Sequence, residues 1–429
     1  MKTKTSLLPL NVLYVYLISL CYWIFLSFKG FSIDLIGYKD FGSIFYRQGL
    51  IGYVATGLHR EPLYPLLCSL AIHIEHLSGI GFIYIMDSFS IIMLMITQIL
   101  IYTILRGLNI RPWICSLMLF YWAVSPSITN SAFHILFFCE IITYPLILLT
   151  IITAYQGWKV VEKNRIKEAC LYGVLTGILF ALTTFVKAVF ECIFPVYLIF
   201  FLLGSLYKNK ASISLICFLT AAGVLFYLPI TGYKSLNKMY NGHFAITNRG
   251  DWAFYGVAAH RVRPLKNYLI NLYSVPGEET CTKVFQTSEC DSANSGISDN
   301  LGTDKMHELT AMHLPPQAIS EHLLELSVKQ ILTNPPQYIL LSATEGLKAL
   351  FWENAGGPSL RFMMAILTFF VLIYCSIYYK YLPLLMKVIL AFIFLFVFFH
   401  SFFDTLPRYF LPIVPLYIIC IGHCLDSLF

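Results

Sequence analysis

The chain has 429 residues, of which 58% are apolar, 16% aromatic and only 12% charged. Soluble domains carry about 25% charged residues, so half that load, spread over many long apolar runs, excludes a soluble multi-domain protein and makes the chain a polytopic membrane protein. A Lys and Arg excess on one membrane face accounts for the net charge of +6, and the chain has no basic arm, zinc-ligand spacing or Gly-rich phosphate loop, so no nucleic-acid partner is expected.

In chain order, Lys2 and Lys4 precede an apolar stretch from about 7 to 28. It is longer than the apolar core of a signal peptide, and no small-residue cleavage site follows, so it reads as an uncleaved first transmembrane helix. Further spans are predicted at about 86–105, 112–131, 137–157, 169–188, 190–207, 211–231, 360–379, 382–402 and 409–426, ten in all. Residues 62–83 are apolar but begin with Pro62 and Pro65 and carry His73, Glu75 and His76. They read as helices lying at the interface.

Loop charges test that count. With the N-terminus inside, Arg106 and Arg111, then Lys159, Lys163, Arg165 and Lys167, then Lys208 and Lys210, then Lys380 and Lys387 all fall on the cytoplasmic side. A crossing at 62–83 would invert every later loop and break the positive-inside pattern. Both ends are therefore expected in the cytoplasm. Asp34, Asp40, Arg60, Glu61, Glu140, Lys187, Asp404 and Arg408 then converge on the outer face, together with the polar segment 232–358. A pore or proton-coupled transporter would carry such groups through the midplane instead.

Three parts follow: a membrane module over 1–231 whose first outer loop spans 29–85, a small mixed outer domain with interfacial helices over 232–358, and C-terminal membrane helices over 359–429. Within the outer part, a Ser/Asn/Asp/Gly stretch around 288–304 reads as loop. An amphipathic helix is predicted from Pro316 to Leu332, with Ile319, Leu323, Leu326 and Ile331 near helical spacing. Asn334-Pro335-Pro336 breaks it, and a second helix runs from Gln337 to Trp352. Ten of the twelve cysteines sit in apolar segments and read as packed hydrophobes. Cys281 and Cys290, in the polar region with eight residues between them, form a local disulfide if that region faces an oxidising compartment, and stay as two thiols otherwise. The histidines form no metal-ligand spacing.

Several motifs resemble the GT-C glycosyltransferases, the group of protein O-mannosyltransferases and the lipid A aminoarabinose transferase. Asp34-x3-Tyr38-x3-Gly42-x6-Gly49 resembles the family's first outer loop, with Gly42 where Ala is usual. Arg60-Glu61-Pro62-Leu63-Tyr64-Pro65 resembles the Arg-x-Pro-x-Tyr-Pro-like motif that ends it. Glu140, after Ser125-Pro126, resembles the acid at the outer start of span four. Lys187 stands where a base, often Arg, ends span five. Arg408-Tyr409-x2-Pro412 resembles the C-terminal signature. The resemblance covers 7–232 and 360–426, and only loosely the outer domain. The absence of further luminal modules favours a bacterial relative, a multi-pass protein of the inner (cytoplasmic) membrane whose site faces the periplasm or cell exterior.

The resemblance implies an inverting transferase that moves a sugar from a polyprenyl-phosphate donor to a hydroxyl of a glycan, lipid or protein acceptor. Asp34 would be the base that takes the hydroxyl proton, with Glu140 assisting it or orienting the acceptor. Arg60, whose guanidinium can grip two phosphate oxygens, would hold the phosphate with Lys187, Arg408 and Arg249. Tyr38 and Tyr64 would touch the sugar or phosphate. A divalent cation on Asp34 and Glu140 is a further option that some relatives use. Each residue has a plainer reading: Asp34 as a helix cap or a partner of Lys29 or Lys39, Arg60 paired with Glu61 or Asp40, Glu140 paired with Lys187, Arg408 paired with Asp404, and the tyrosines as interfacial aromatics. The competing functions are a flippase of lipid-linked sugars and a non-catalytic membrane scaffold.

Overall fold

The computed structural model describes residues 9–28, 33–57, 60–134, 139–207, 212–262, 269–270, 281–286, 290, 296–353, 357–403 and 407–429, although the side chains of 33–36, 134, 207, 296–299, 358, 403 and 407–409 are outside that description. Among the described residues there are helices and no strands. Eight helices are long and apolar enough to cross a membrane, so the chain is a multi-pass membrane protein.

Those eight include α1 (Leu10–Ser27), α4 (Phe82–Gly107), α7 (Glu140–Glu162), α8 (Ile166–Thr184) and α10 (Ile213–Asn241). Two more lie within α15 (Gly357–Ile377) and α16 (Leu384–Phe403), and the last, Phe410–Leu428, joins the end of a 3-10 turn, Pro407–Ile413, to the C-terminal α17 (Val414–Leu428). The stretches 112–131 and 190–207 contain shorter apolar helices, α5 (Pro112–Val124) and α9 (Phe190–Tyr207). At about 1.5 Å per residue, α5 falls well short of the roughly 30 Å apolar layer. Pro126 stops it, because proline has no N–H to continue the ladder and disfavours helix at the residue before it. The chain continues as a one-turn helix, α6 (Pro126–Thr129), and a π turn, Asn130–His134.

The helices alternate between two ends of the bundle. At one end the Arg111 N–H donates to Asp426 at the close of α17 (3.0 Å), and the Ser214 hydroxyl to the Val161 carbonyl (3.4 Å). The opposite end holds α2 (Ile33–Ala55), α3 (Leu63–Ser78), the α8–α9 turn and the first residue of α7. Neither α2 nor α3 is long and apolar enough to count as a span.

The spaced glycines of the first loop have physical roles here. A side chain at Gly42 would drive its Cβ to within 2.6 Å of the Cys68 Cβ, so glycine lets α2 lie against α3. Gly49 kinks α2 with φ of 67°, a conformation that side chains disfavour. The chain folds back there and packs the Tyr53 ring on Phe45 (4.9 Å) and Phe41 (6.3 Å).

The segment 232–358 differs from expectation in three ways. Its elements among the described residues are helices rather than mixed: α11 (Gly250–Arg261), α12 (Gly296–Ala311), α13 (Pro316–Thr333) and α14 (Pro335–Leu347). The polar stretch expected as loop around 288–304 is helix from Gly296, since composition describes the water a helix faces and not its backbone. The boundary at 231 falls inside α10, which runs on to Asn241. At about 43 Å, α10 overshoots the apolar layer by two to three turns. Asn241 at its tip donates to the Val54 carbonyl (2.7 Å), tying it to the end of α2. These helices seat on α16 through Arg261, whose guanidinium donates to Ser342 (2.8 Å) and to the Ser401 carbonyl (2.5 Å). A cation at the carbonyl end of a helix is favourably placed. The Asn334 side chain accepts from the Gln337 N–H and caps α14, with Pro335 and Pro336 in its first turn.

A carboxylate fixes the tight α3–α4 turn. Glu75 accepts the Phe82 N–H at 3.0 Å and lies 3.4 Å from the Lys39 ammonium. The Phe82 N–H first, and Lys39 after it, hold the Glu75 carboxyl below its ordinary value, while burial opposes them. A depressed carboxyl contributes stability above its unfolded pKa and loses that contribution as pH falls through the folded value. Acid melting of detergent-solubilised protein from about pH 6 to about pH 3 is therefore expected to be less steep in Glu75→Gln than in the wild type. Superimposable curves would exclude this latch.

Candidate functional site

The site grows from the kink at Gly49. Beyond it, the Tyr53 hydroxyl donates to the Arg60 carbonyl (2.9 Å), which fixes the backbone of the loop leading into α3. That loop is stitched to the α8–α9 turn by two hydrogen bonds. The Leu63 N–H donates to the Phe185 carbonyl (3.0 Å), and the Ala188 N–H donates to Glu61 (3.2 Å). Between these bonds lies Lys187, whose ammonium reaches the Glu140 carboxylate at 2.8 Å. Glu140 is 2% exposed and Lys187 6%, so this ion pair is shielded from water. The Cys139 thiol lies 3.5 Å from the second Glu140 oxygen.

Arg60 is half-buried, with its guanidinium over the Tyr38 ring, 5.6 Å from the centroid. The Tyr64 ring meets Tyr38 edge-on at 4.6 Å. Such stacking suits an arginine, whose flat cation attracts the ring face while its N–H groups stay available. Burial pushes the Tyr38 phenol well above its ordinary value, Cys139 adds to the rise, and Arg60 partly offsets it. Burial does the same to Tyr64. Both phenols therefore stay neutral and can donate a hydrogen bond.

The structure thus brings together Tyr38, Arg60, Tyr64, Glu140 and Lys187. Asp34 lies in the first turn of α2, four residues before Tyr38, and its side chain is outside the described residues. The same holds for Arg408 in the 3-10 turn Pro407–Ile413, although that turn packs on α7, the helix Glu140 begins. Asp404 is outside the described residues altogether. Arg249 heads α11, and its described contact is with the Trp252 ring (5.1 Å). Cys281 and Cys290 are joined by a disulfide.

Two plainer readings are resolved. Glu140 and Lys187 do pair. Arg60 pairs with neither Glu61 nor Asp40 among the described residues, because Glu61 turns to the Ala188 N–H. Sequence reasoning missed that role of Glu61, since its partner is 127 residues away. It also missed Glu353, which is fully buried and accepts from the Ser127 N–H (2.8 Å), the Ser125 hydroxyl (2.5 Å) and the Tyr121 hydroxyl (2.8 Å). Glu353 holds the break between α5 and α6, upstream of Glu140. The signal was an acid placed beside the span at 360–379.

The cation option on Asp34 and Glu140 involves an Asp34 side chain outside the described residues. Glu140 already faces an ammonium, which would repel a dication, and among the described residues no cluster of three or more His, Cys, Asp or Glu is suited to a metal. Compared with known proteins, the chain matches no family model and no curated sequence.

Removing one member of a buried ion pair strands the other charge and costs about 3–5 kcal/mol, whereas replacing both with apolar groups costs far less. Lys187→Met is accordingly expected to lower stability to denaturant by about 3–5 kcal/mol, and Lys187→Met with Glu140→Leu to recover most of that loss. Equal losses in the single and double variants would show that the two charges are not coupled.

Proposed function

We propose that the chain is an inverting glycosyltransferase that moves a sugar from a polyprenyl-phosphate donor to an acceptor hydroxyl at the outer face of a bacterial inner membrane. One observation carries the reading. Arg60, with no acidic partner among the described residues, is held over Tyr38 beside the shielded Glu140–Lys187 pair, at the end of the bundle away from the basic turns. A lipid phosphate has the charge that arginine lacks a partner for, and its tail can remain in the bilayer.

In this reading ten segments cross, the α5–α6 stretch and α9 completing the eight longer helices, and both chain ends are cytoplasmic. The acceptor oxygen attacks the anomeric carbon from the face opposite the phosphate. The bond between that carbon and the phosphate oxygen breaks, and the hydroxyl proton passes to the Asp34 carboxylate. Negative charge grows on the departing phosphate, and Arg60, with Arg408 from the turn packed on α7, stabilises it. Lys187 adds a third cation oriented by Glu140. The neutral phenols of Tyr38 and Tyr64 donate to the phosphate or sugar. The segment that follows α10, with Arg249, selects the acceptor.

The test supplies purified protein with polyprenyl-phosphate sugars and with extracts of envelope glycans, lipids and proteins. Wild type is expected to transfer label, and Asp34→Asn to lose about 10²–10⁴-fold of the rate, the usual worth of a positioned base. Undiminished transfer in the variant would remove Asp34 as the base. No transfer by wild type from any donor would remove the enzymatic reading and favour carriage of lipid-linked sugars or a scaffold.

A further inference from the structure

Asp87 lies in the second turn of α4, a helix that packs on both α3 and α7. It is 4% exposed, and its Oδ2 is sealed from solvent with no hydrogen-bond partner. Among the described residues Asp87 makes no hydrogen bond or ion pair at all. The other deeply buried acids face a cation or donors: Glu140 the Lys187 ammonium, Glu345 the Lys348 ammonium at 2.7 Å, and Glu353 three hydrogen-bond donors. A buried carboxyl without a partner is expensive, and buried polar groups nearly always have one. An acid at membrane depth therefore marks a place where something else supplies the donors.

Its position says what that is. The carboxyl lies within electrostatic reach of the Tyr64 hydroxyl, which is in turn within reach of Glu140. Tyr64 meets Tyr38 edge-on, and Arg60 covers the Tyr38 ring. Asp87, on the helix packed against α3, is thus a neighbour of Tyr64, while the cation Arg60 lies over Tyr38. A phosphate belongs at the cationic end. A carboxylate carries two oxygens that accept hydrogen bonds and complements a group rich in O–H donors. We infer that Asp87 is a sugar-binding residue, the acceptor that grips hydroxyls of the donor's glycosyl group beside Tyr64 while Arg60 holds the phosphate. The inference rests on the lipid-phosphate reading above and adds to it the residue that distinguishes a glycosylated donor from the bare lipid phosphate. Asp87 forms no bond to the reacting atoms.

The experiment measures binding of bare polyprenyl phosphate and of a panel of polyprenyl-phosphate sugars to the detergent-solubilised full chain, as wild type, Asp87→Asn and Asp87→Leu. Wild type is expected to bind at least one glycosylated lipid about tenfold or more tightly than the bare lipid, in keeping with hydrogen bonds to a charged acceptor. Both variants are expected to lose that preference while binding the bare lipid as wild type does. Their melting temperature without ligand should be unchanged or higher, because an unpartnered buried carboxyl has been removed. A preference that survives in both variants, a wild type with no preference, or melting temperatures lowered in both would each overturn the role of Asp87 and leave the lipid-phosphate reading standing. A wild type that binds no polyprenyl phosphate would overturn that reading, and this inference with it.

Discussion

A carboxylate and an ammonium 2.8 Å apart, both shielded from water, constrain the whole site end of the bundle. Neither charge is tolerable there alone, so the chain must deliver the start of α7 and the α8–α9 turn to the same place. The α8–α9 turn then gives up the Phe185 carbonyl and the Ala188 N–H to the loop before α3. That loop carries Arg60, and the Tyr53 hydroxyl beyond the Gly49 kink holds its carbonyl. Three distant stretches of sequence are thus fixed to one another by one ion pair and two hydrogen bonds. Arg60 inherits its position over Tyr38 from that framework.

The membrane helices were legible because length and apolarity are all that a crossing demands. α5 fell short because Ser125-Pro126 ends a helix whatever the hydropathy of the residues after it. Tyr233 to Asn241 read as outside the membrane, yet α10 continues through them, since its hydrogen bonds are local and do not depend on the solvent. The helix at Gly296–Ala311 was hidden for the related reason that a polar composition resembles a loop.

The site was legible in part. Charges were expected to gather on one face, and Arg60, Glu140 and Lys187 do lie close together there. Their pairing was open, because it depends on contacts between residues far apart in sequence. Glu61 sits beside Arg60 in the chain and could have neutralised it, but in the fold it serves the Ala188 N–H and leaves the guanidinium for something else. Gly42 and Gly49 first stood out as motif spacing and prove to be packing and kink positions that place Tyr38 and Tyr53. Asp87 escaped notice because one acid in an otherwise apolar helix barely changes its mean hydropathy.

The central claim is that the surface around Arg60, Tyr38 and Lys187 receives a lipid phosphate. Photolabelling with a polyprenyl phosphate carrying a diazirine next to its phosphate tests it most directly, followed by peptide mapping. The account predicts saturable labelling in peptides covering 38–64 or 185–190, abolished by an excess of unlabelled polyprenyl phosphate and weakened in Arg60→Ala. Labelling confined to other helices, or labelling that no excess of unlabelled lipid reduces, would contradict it.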